Sequence, residues 1–186
     1  ARGPVVIAST FGNATSGGGA ATVAFRNGSG PRTITLPVGA RLPALVIDDA
    51  QLLVNTNGLG TVTLDDFTLN AGTVEFESTD LAVIHASNYL QTGGSFSIST
   101  GNINWNTGNV TISNGTFNAG FGTVTLGAAQ FNLSGGTFTP STGSNTFGLS
   151  LNTSFSQSGG LFAPGAGSIE VNGVFSLSGG TFNAPS

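Results

Sequence analysis

The chain has no cysteine and no methionine, and its four basic residues are all arginine, so lysine is absent as well. Without cysteine, neither disulfides nor thiolate chemistry is available. Without lysine, Schiff-base catalysis and Lys–Asn isopeptide cross-links are excluded. Charge is scarce too: 6% of the 186 residues are charged, against about 25% in ordinary soluble domains. The surface must therefore stay hydrated through Ser, Thr, Asn and Gly, which suits an extracellular or assembled protein. No apolar run approaches the roughly 18 residues of a spanning helix, so no membrane span is expected. Val5-Val6-Ile7 is too short for the apolar core of a signal peptide. A chain that does not begin with methionine is expected to be a processed protein or a segment of a longer one.

The few charges are segregated. Arg2, Arg26, Arg32 and Arg41 all precede position 42, and Asp48, Asp49, Asp65, Asp66, Glu75, Glu77 and Asp80 follow in one block, with Glu170 alone beyond them. Four dispersed arginines and a net charge of −4 argue against nucleic acid as a partner.

What the chain has in abundance is glycine, 30 residues of it, and a repeated phrase. Its copies are Asn70-Ala71-Gly72-Thr73-Val74, Thr92-Gly93-Gly94-Ser95-Phe96, Ser113-Asn114-Gly115-Thr116-Phe117, Ser134-Gly135-Gly136-Thr137-Phe138, Ser158-Gly159-Gly160-Leu161-Phe162 and Ser178-Gly179-Gly180-Thr181-Phe182. The steps between Gly72, Gly94, Gly115, Gly136, Gly160 and Gly180 are 22, 21, 21, 24 and 20. Such a period, with no helix-forming stretch between copies, predicts an all-β fold: a parallel β-helix, or β-solenoid, with about 21 residues per coil.

Aligned on that glycine, the copies form columns. Two residues after it stand Val74, Phe96, Phe117, Phe138, Phe162 and Phe182, and five before it Phe67, Tyr89, Val110, Phe131, Phe155 and Phe175. Three before it stand Leu69, Gln91, Ile112, Leu133, Gln157 and Leu177. Ser, Thr and Asn alternate with these apolar positions, which is strand periodicity. A further strand follows in most copies, as in Ile103-Asn104-Trp105 and Val124-Thr125-Leu126, giving about three short strands per coil. Stacking coils about 4.8 Å apart turns the Phe columns into an internal ladder. Gln91 and Gln157 interrupt the aliphatic column and, if turned inward, require each other's level or a backbone group as hydrogen-bond partner.

Three segments are expected. Residues 1–19 form an apolar strand and a flexible linker, 20–60 form atypical N-terminal β coils, and 61–186 form the regular repeats. The last copy is expected to stop part-way round a coil at Ala184-Pro185-Ser186, with Phe175, Leu177 and Phe182 in place and no polar cap after them. An uncapped solenoid end presents open strand edges and apolar columns that invite another chain.

The units Phe131-Asn132-Leu133-Ser134-Gly135-Gly136-Thr137-Phe138 and Phe175 to Ala184 resemble the repeats of large secreted bacterial β-solenoid surface proteins. These are the filamentous-haemagglutinin-like and autotransporter-type adhesins. The resemblance covers roughly residues 61–186. It implies a right-handed parallel β-helix, bacterial-type secretion, and a role in adhesion or surface structure.

Candidate chemistry is sparse. Glu75 and Glu77 flank Phe76, so both project from one strand face about 6–7 Å apart. That spacing is compatible with glycoside cleavage, yet no Lys or Arg lies nearby in sequence and a solvated strand face is the preferred reading. Asp48, Asp49, Asp65 and Asp66 form two pairs 17 residues apart. If stacked, they would offer calcium a set of carboxylate oxygens, although the nonapeptide pattern of calcium-binding β-rolls is absent. His85 has no second His or Cys for company, and Trp105 and Tyr89 fall on the core periodicity. Six N-x-S/T sequons, at Asn13, Asn27, Asn109, Asn114, Asn132 and Asn152, are no more than a chain this rich in Ser and Thr carries by chance.

The reading is a non-enzymatic extracellular structural protein with no cofactor. It is expected to self-assemble head to tail into a surface filament or sheath, using Val5, Val6 and Ile7 at one end and Phe175, Leu177 and Phe182 at the other. The alternative is a segment of a large adhesin that binds carbohydrate or cell-surface receptors. Less expected is a polysaccharide-cleaving β-helix enzyme that uses Glu75 and Glu77.

Overall fold

The computed structural model describes residues 5–6, 22–26, 31–36, 39, 41–48, 50–56, 60–118, 123–140 and 147–186. Among them there is no helix. In chain order the strands are β1 (Val5–Val6), β2 (Thr22–Arg26), β3 (Pro31–Leu36), β4 (Arg41–Leu42), β5 (Ala44–Asp48) and β6 (Ala50–Thr56). The regular repeats supply β7 (Gly60–Leu69), β8 (Gly72–Gln91), β9 (Ser95–Ile112), β10 (Thr116–Asn118), β11 (Val124–Leu133) and β12 (Thr137–Thr139). The last are β13 (Phe147–Gln157), β14 (Leu161–Phe162), β15 (Gly167–Val171), β16 (Val174–Leu177) and β17 (Thr181–Phe182).

Every pairing among these strands is parallel, each to the strand about one repeat away. The chain is a β-solenoid of about 6 turns with roughly 21 residues per turn. Like residues stack on like: Phe117 pairs with Phe96 below and Phe138 above, and Phe131 with Val110 and Phe155. The 24-residue step has two sources. Val124 pairs with Phe147, 23 residues on, and a register shift between Ala128 and Gln130 adds one more before Phe131 meets Phe155.

The alternating pattern puts the columns inside. Phe67, Phe96, Phe131, Phe138, Phe155 and Phe162 are fully buried. Their rings pile along the axis: Phe96 on Phe117 at 4.7 Å, Phe117 on Phe138 at 4.8 Å and Phe162 on Phe182 at 5.1 Å. Rings at these separations add to the burial of each side chain, itself about 1.5–3 kcal/mol. The described strands within residues 20–60, the segment expected to form atypical coils, join the same stack. Val23 pairs with Leu45, Leu45 with Phe67, and Arg32 with Leu52.

The turns stack as closely as the strands. Gly136 has φ +73°, and a Cβ there would lie 2.6 Å from the carbonyl oxygen of Gly115 in the turn beneath. A second glycine is thus required where a left-handed backbone meets another backbone with no room between. Ladder bonds such as Ser134 N–H to Ile112 O and Thr137 N–H to Gly115 O carry the sheet through the corner.

Candidate assembly surface

The terminal coil is built from β15, β16 and β17, which pair with β13 and β14 below. Its sequence is that of an interior coil, and it takes the same register. Phe175 sits on Phe155 at 4.9 Å, and Phe182 packs against the core. Nothing in the described residues lies on its other side. Phe175 is therefore 47% exposed and Leu177 49%, while Val174, in the outward column of Ser154, is 66% exposed. The Ser186 N–H donates to Gly165 O in the coil below at 3.1 Å, so the ladder bonds run on to Ser186.

At the opposite end Val5 pairs with Ile34 and Val6 with Thr35 of the same chain. The backbone expected to act as a donated strand is thus laid along its own β3, and Ile7 lies outside the described residues. β1 and β17 each have one partner among the described residues, β3 and β14 respectively. Both belong to one face of the solenoid, the face that runs through β3, β6, β8 and β9 to β10, β12 and β14. The apolar side chains of the N-terminal coils are covered, Phe25, Leu42 and Leu45 among them.

Inside the stack, both glutamines of the aliphatic column are fully buried. The Gln91 amide nitrogen donates to Gly93 O (3.3 Å), Gly94 O (3.2 Å) and, one coil on, Thr116 O (3.0 Å), while its oxygen accepts from the Tyr89 hydroxyl at 3.0 Å. Gln157 repeats the donor set with Gly159 O (3.3 Å), Gly160 O (3.2 Å) and Thr181 O (2.9 Å). Two residues before it stands Phe155 in place of a tyrosine, and the Gln157 Oε1 has no hydrogen-bond partner. The Trp105 indole N–H is the other buried side-chain group of this kind among the described residues. Burial pushes the Tyr89 phenol well above its ordinary value.

The other singled-out residues do not converge. Arg26 pairs with Asp48 at 3.5 Å on the surface, and the Arg32 guanidinium donates to Arg26 O at 3.4 Å. Asp66 accepts from the Asn88 side chain at 2.9 Å, and Asn88 in turn accepts from Asn109 at 2.9 Å. The aspartate pairs do not stack. Leu45 pairs with Phe67, which sets Asp66 beside Ala44, about 13 Å along the strand from Asp48. Asp49 lies outside the described residues, and among those described no three acidic or histidine side chains group as for a metal ion. Glu75 and Glu77 stand on β8 opposite Leu53 and Asn55 below and Ser97 and Thr100 above, with no further carboxylate in those positions. The side chain of His85 lies outside the described residues, and Trp105 and Tyr89 are core residues closed to a sugar. Sequence reasoning found the two glutamines and a backbone group as a possible partner, but not which carbonyls; the signal was their place just before the turn glycines.

Family models, curated proteins and solved structures were all compared with this chain, and none matches it.

Proposed function

We propose that this chain is a non-enzymatic, extracellular structural unit that associates with copies of itself head to tail, prolonging the solenoid into a filament. The observation that carries this reading is the terminal coil, where Phe175 and Leu177 stand about half exposed on top of a fully buried stack. A parallel coil with matching columns covers such a face best, because it continues the ring stacking and the backbone ladder together. A second copy supplies that coil. With β1 and β17 outermost on one face, its N-terminal coil extends the sheet in the same parallel sense by strand addition. Scarce charge, and repeats that resemble those of secreted bacterial surface proteins, support placement outside the cell.

Sedimentation velocity and negative-stain microscopy of the 186-residue chain test this. Filaments that lengthen with concentration are expected, and the double variant Phe175→Asp/Leu177→Asp should give folded monomers. Deleting residues 1–12 should likewise stop polymerisation and leave a folded monomer. A wild-type chain that stays monomeric at high concentration would refute assembly between copies and favour an adhesin segment whose next coil covers this face.

A further inference from the structure

We propose that Gln157 is the positioning residue for docking of a second copy's coil. From inside the stack it holds the terminal turn, Ser178 to Thr181, in the register that an incoming coil must meet. This rests on the self-assembly reading for its purpose, though not for its geometry.

Gln157 grips that turn at both ends. Its backbone carbonyl accepts the Ser178 N–H at 2.8 Å and the Ser178 hydroxyl at 3.4 Å. Its side-chain amide donates to Thr181 O at 2.9 Å, beside Phe182. Gln91 makes the same double grip one coil on, taking the Ser113 N–H (2.9 Å) and hydroxyl (3.4 Å) and donating to Thr116 O. At the interior level of Leu133 the column residue has no side-chain donor, and the next turn is held by ladder bonds such as Ser158 N–H to Leu133 O and Leu161 N–H to Gly136 O. An interior turn is also pinned by the coil above it; among the described residues no coil lies above Ser178 to Thr181.

The orientation of the Gln157 amide is fixed. Three carbonyl oxygens face one end of it, so that end must be the nitrogen. The oxygen is then forced into apolar surroundings without a donor, at a cost that a leucine in this column would not incur. A buried polar group kept at such a position calls for a reason. The reason is the turn it holds.

Hydrogen exchange, read as protection factors at single amides, tests the grip, and filament elongation tests its purpose. In Gln157→Leu, protection at Ser178 and Thr181 should fall about tenfold, the equivalent of one hydrogen bond, while Ser134 and Thr137 stay unchanged. Elongation should slow. Leucine already occupies this column at Leu133 and Leu177, so the variant is expected to fold. Gln91→Leu, with further coils above it, should leave elongation as in the wild type. Gln157→Glu adds a signature. Its carboxylate would face three carbonyls at neutral pH and release the turn, and protonation in acid would restore the donor and the protection. Unchanged protection at Ser178 and Thr181 in Gln157→Leu would overturn the proposal, as would lost protection with unaltered elongation. A wild-type chain without filaments would instead refute the assembly reading, and the exchange measurement would still decide whether the grip exists.

Discussion

The interior coil that begins at Phe131 and the terminal coil that begins at Phe175 carry nearly the same eight residues, F-x-L-S-G-G-T-F, in the same register. Phe131 and Phe138 are fully buried and Leu133 nearly so. Phe175 and Leu177 are about half exposed, and Phe182 is covered only in part. Composition and backbone are alike, so the difference comes from what lies above each coil. In a solenoid every coil derives about half of its burial from each neighbour. The terminal coil thus shows what an interior coil would be without its upper neighbour: a formed backbone with an unfilled apolar column.

The largest test of that contrast is truncation of equivalent rings. Phe131→Ala should cost about 3–5 kcal/mol, because a cavity opens between two fixed layers. Phe175→Ala should cost less than half of that, since the remaining side chains and water can relax into the space. Equal losses in denaturant unfolding would mean that the terminal ring is covered. Turn glycines give the next contrast. Gly136 and Gly180 have φ +73° and +80°, and a Cβ on either would meet the turn beneath at 2.6 Å. Gly136→Ala should cost roughly 1–3 kcal/mol for the backbone conformation alone, with the collision added, because the Gly160 turn lies directly above. Gly180→Ala should cost visibly less, since the terminal turn is free to lift.

How much of this was legible follows from what carries register. The glycine phrase marks the turn from Gly72 onward, so the coils, their period and the buried Phe columns could be read directly. Before it no phrase exists, and the N-terminal segment joins the stack through pairings that no repeat marks: β4 and β5 on β7, and β6 on β8. The 17-residue spacing of the aspartate pairs suggested stacking, but the 22-residue register of β5 on β7 overrides it. About three short strands per coil were expected. Instead β8 and β9 run for 20 and 18 residues, and the corner within them is marked by register shifts between Phe76 and Leu81. The glutamines were visible as breaks in a column. A backbone group was expected as a partner, but which carbonyls was not legible, since turn carbonyls that point inward are a property of the folded corner and of no residue type.

Tyr89 allows the middle of the stack to be set against its end. Tyr89→Phe leaves the Gln91 oxygen unpaired, as at Gln157, and should cost about 1–3 kcal/mol. It is the only tyrosine, and lysine and cysteine are absent, so alkaline stability isolates it. Its folded pKa is raised above the unfolded value near 10. Its contribution is therefore fully present below about pH 10 and is lost as pH rises from there through the folded value, because the unfolded chain ionises first. Urea midpoints taken from pH 8 to 11.5 should fall at the alkaline end for the wild type and stay flatter for Tyr89→Phe. A parallel fall in both would assign the effect elsewhere.

The smallest expected effect reverses that substitution where the chain omits it. Phe155 stands two residues before Gln157, as Tyr89 stands before Gln91, and both belong to one column of the stack. Phe155→Tyr therefore carries a hydroxyl toward the unpaired Gln157 Oε1. Two terms compete. The new hydrogen bond contributes about 0.5–1.5 kcal/mol and removes an unsatisfied acceptor. Against it stands the parallel stack of Phe155 on Phe131 at 5.3 Å and under Phe175 at 4.9 Å, which a reoriented ring would disturb by an amount of similar order. The lower layer is rigid, but Phe175 is half exposed and free to follow, so the hydrogen bond should prevail and the variant should gain about 0.5–1 kcal/mol. A hydroxyl that missed its partner would instead be buried alone and cost about 1–3 kcal/mol. The sign of the change in unfolding free energy thus decides whether the end of the stack yields as its exposure implies, or is held as firmly as the coils beneath it.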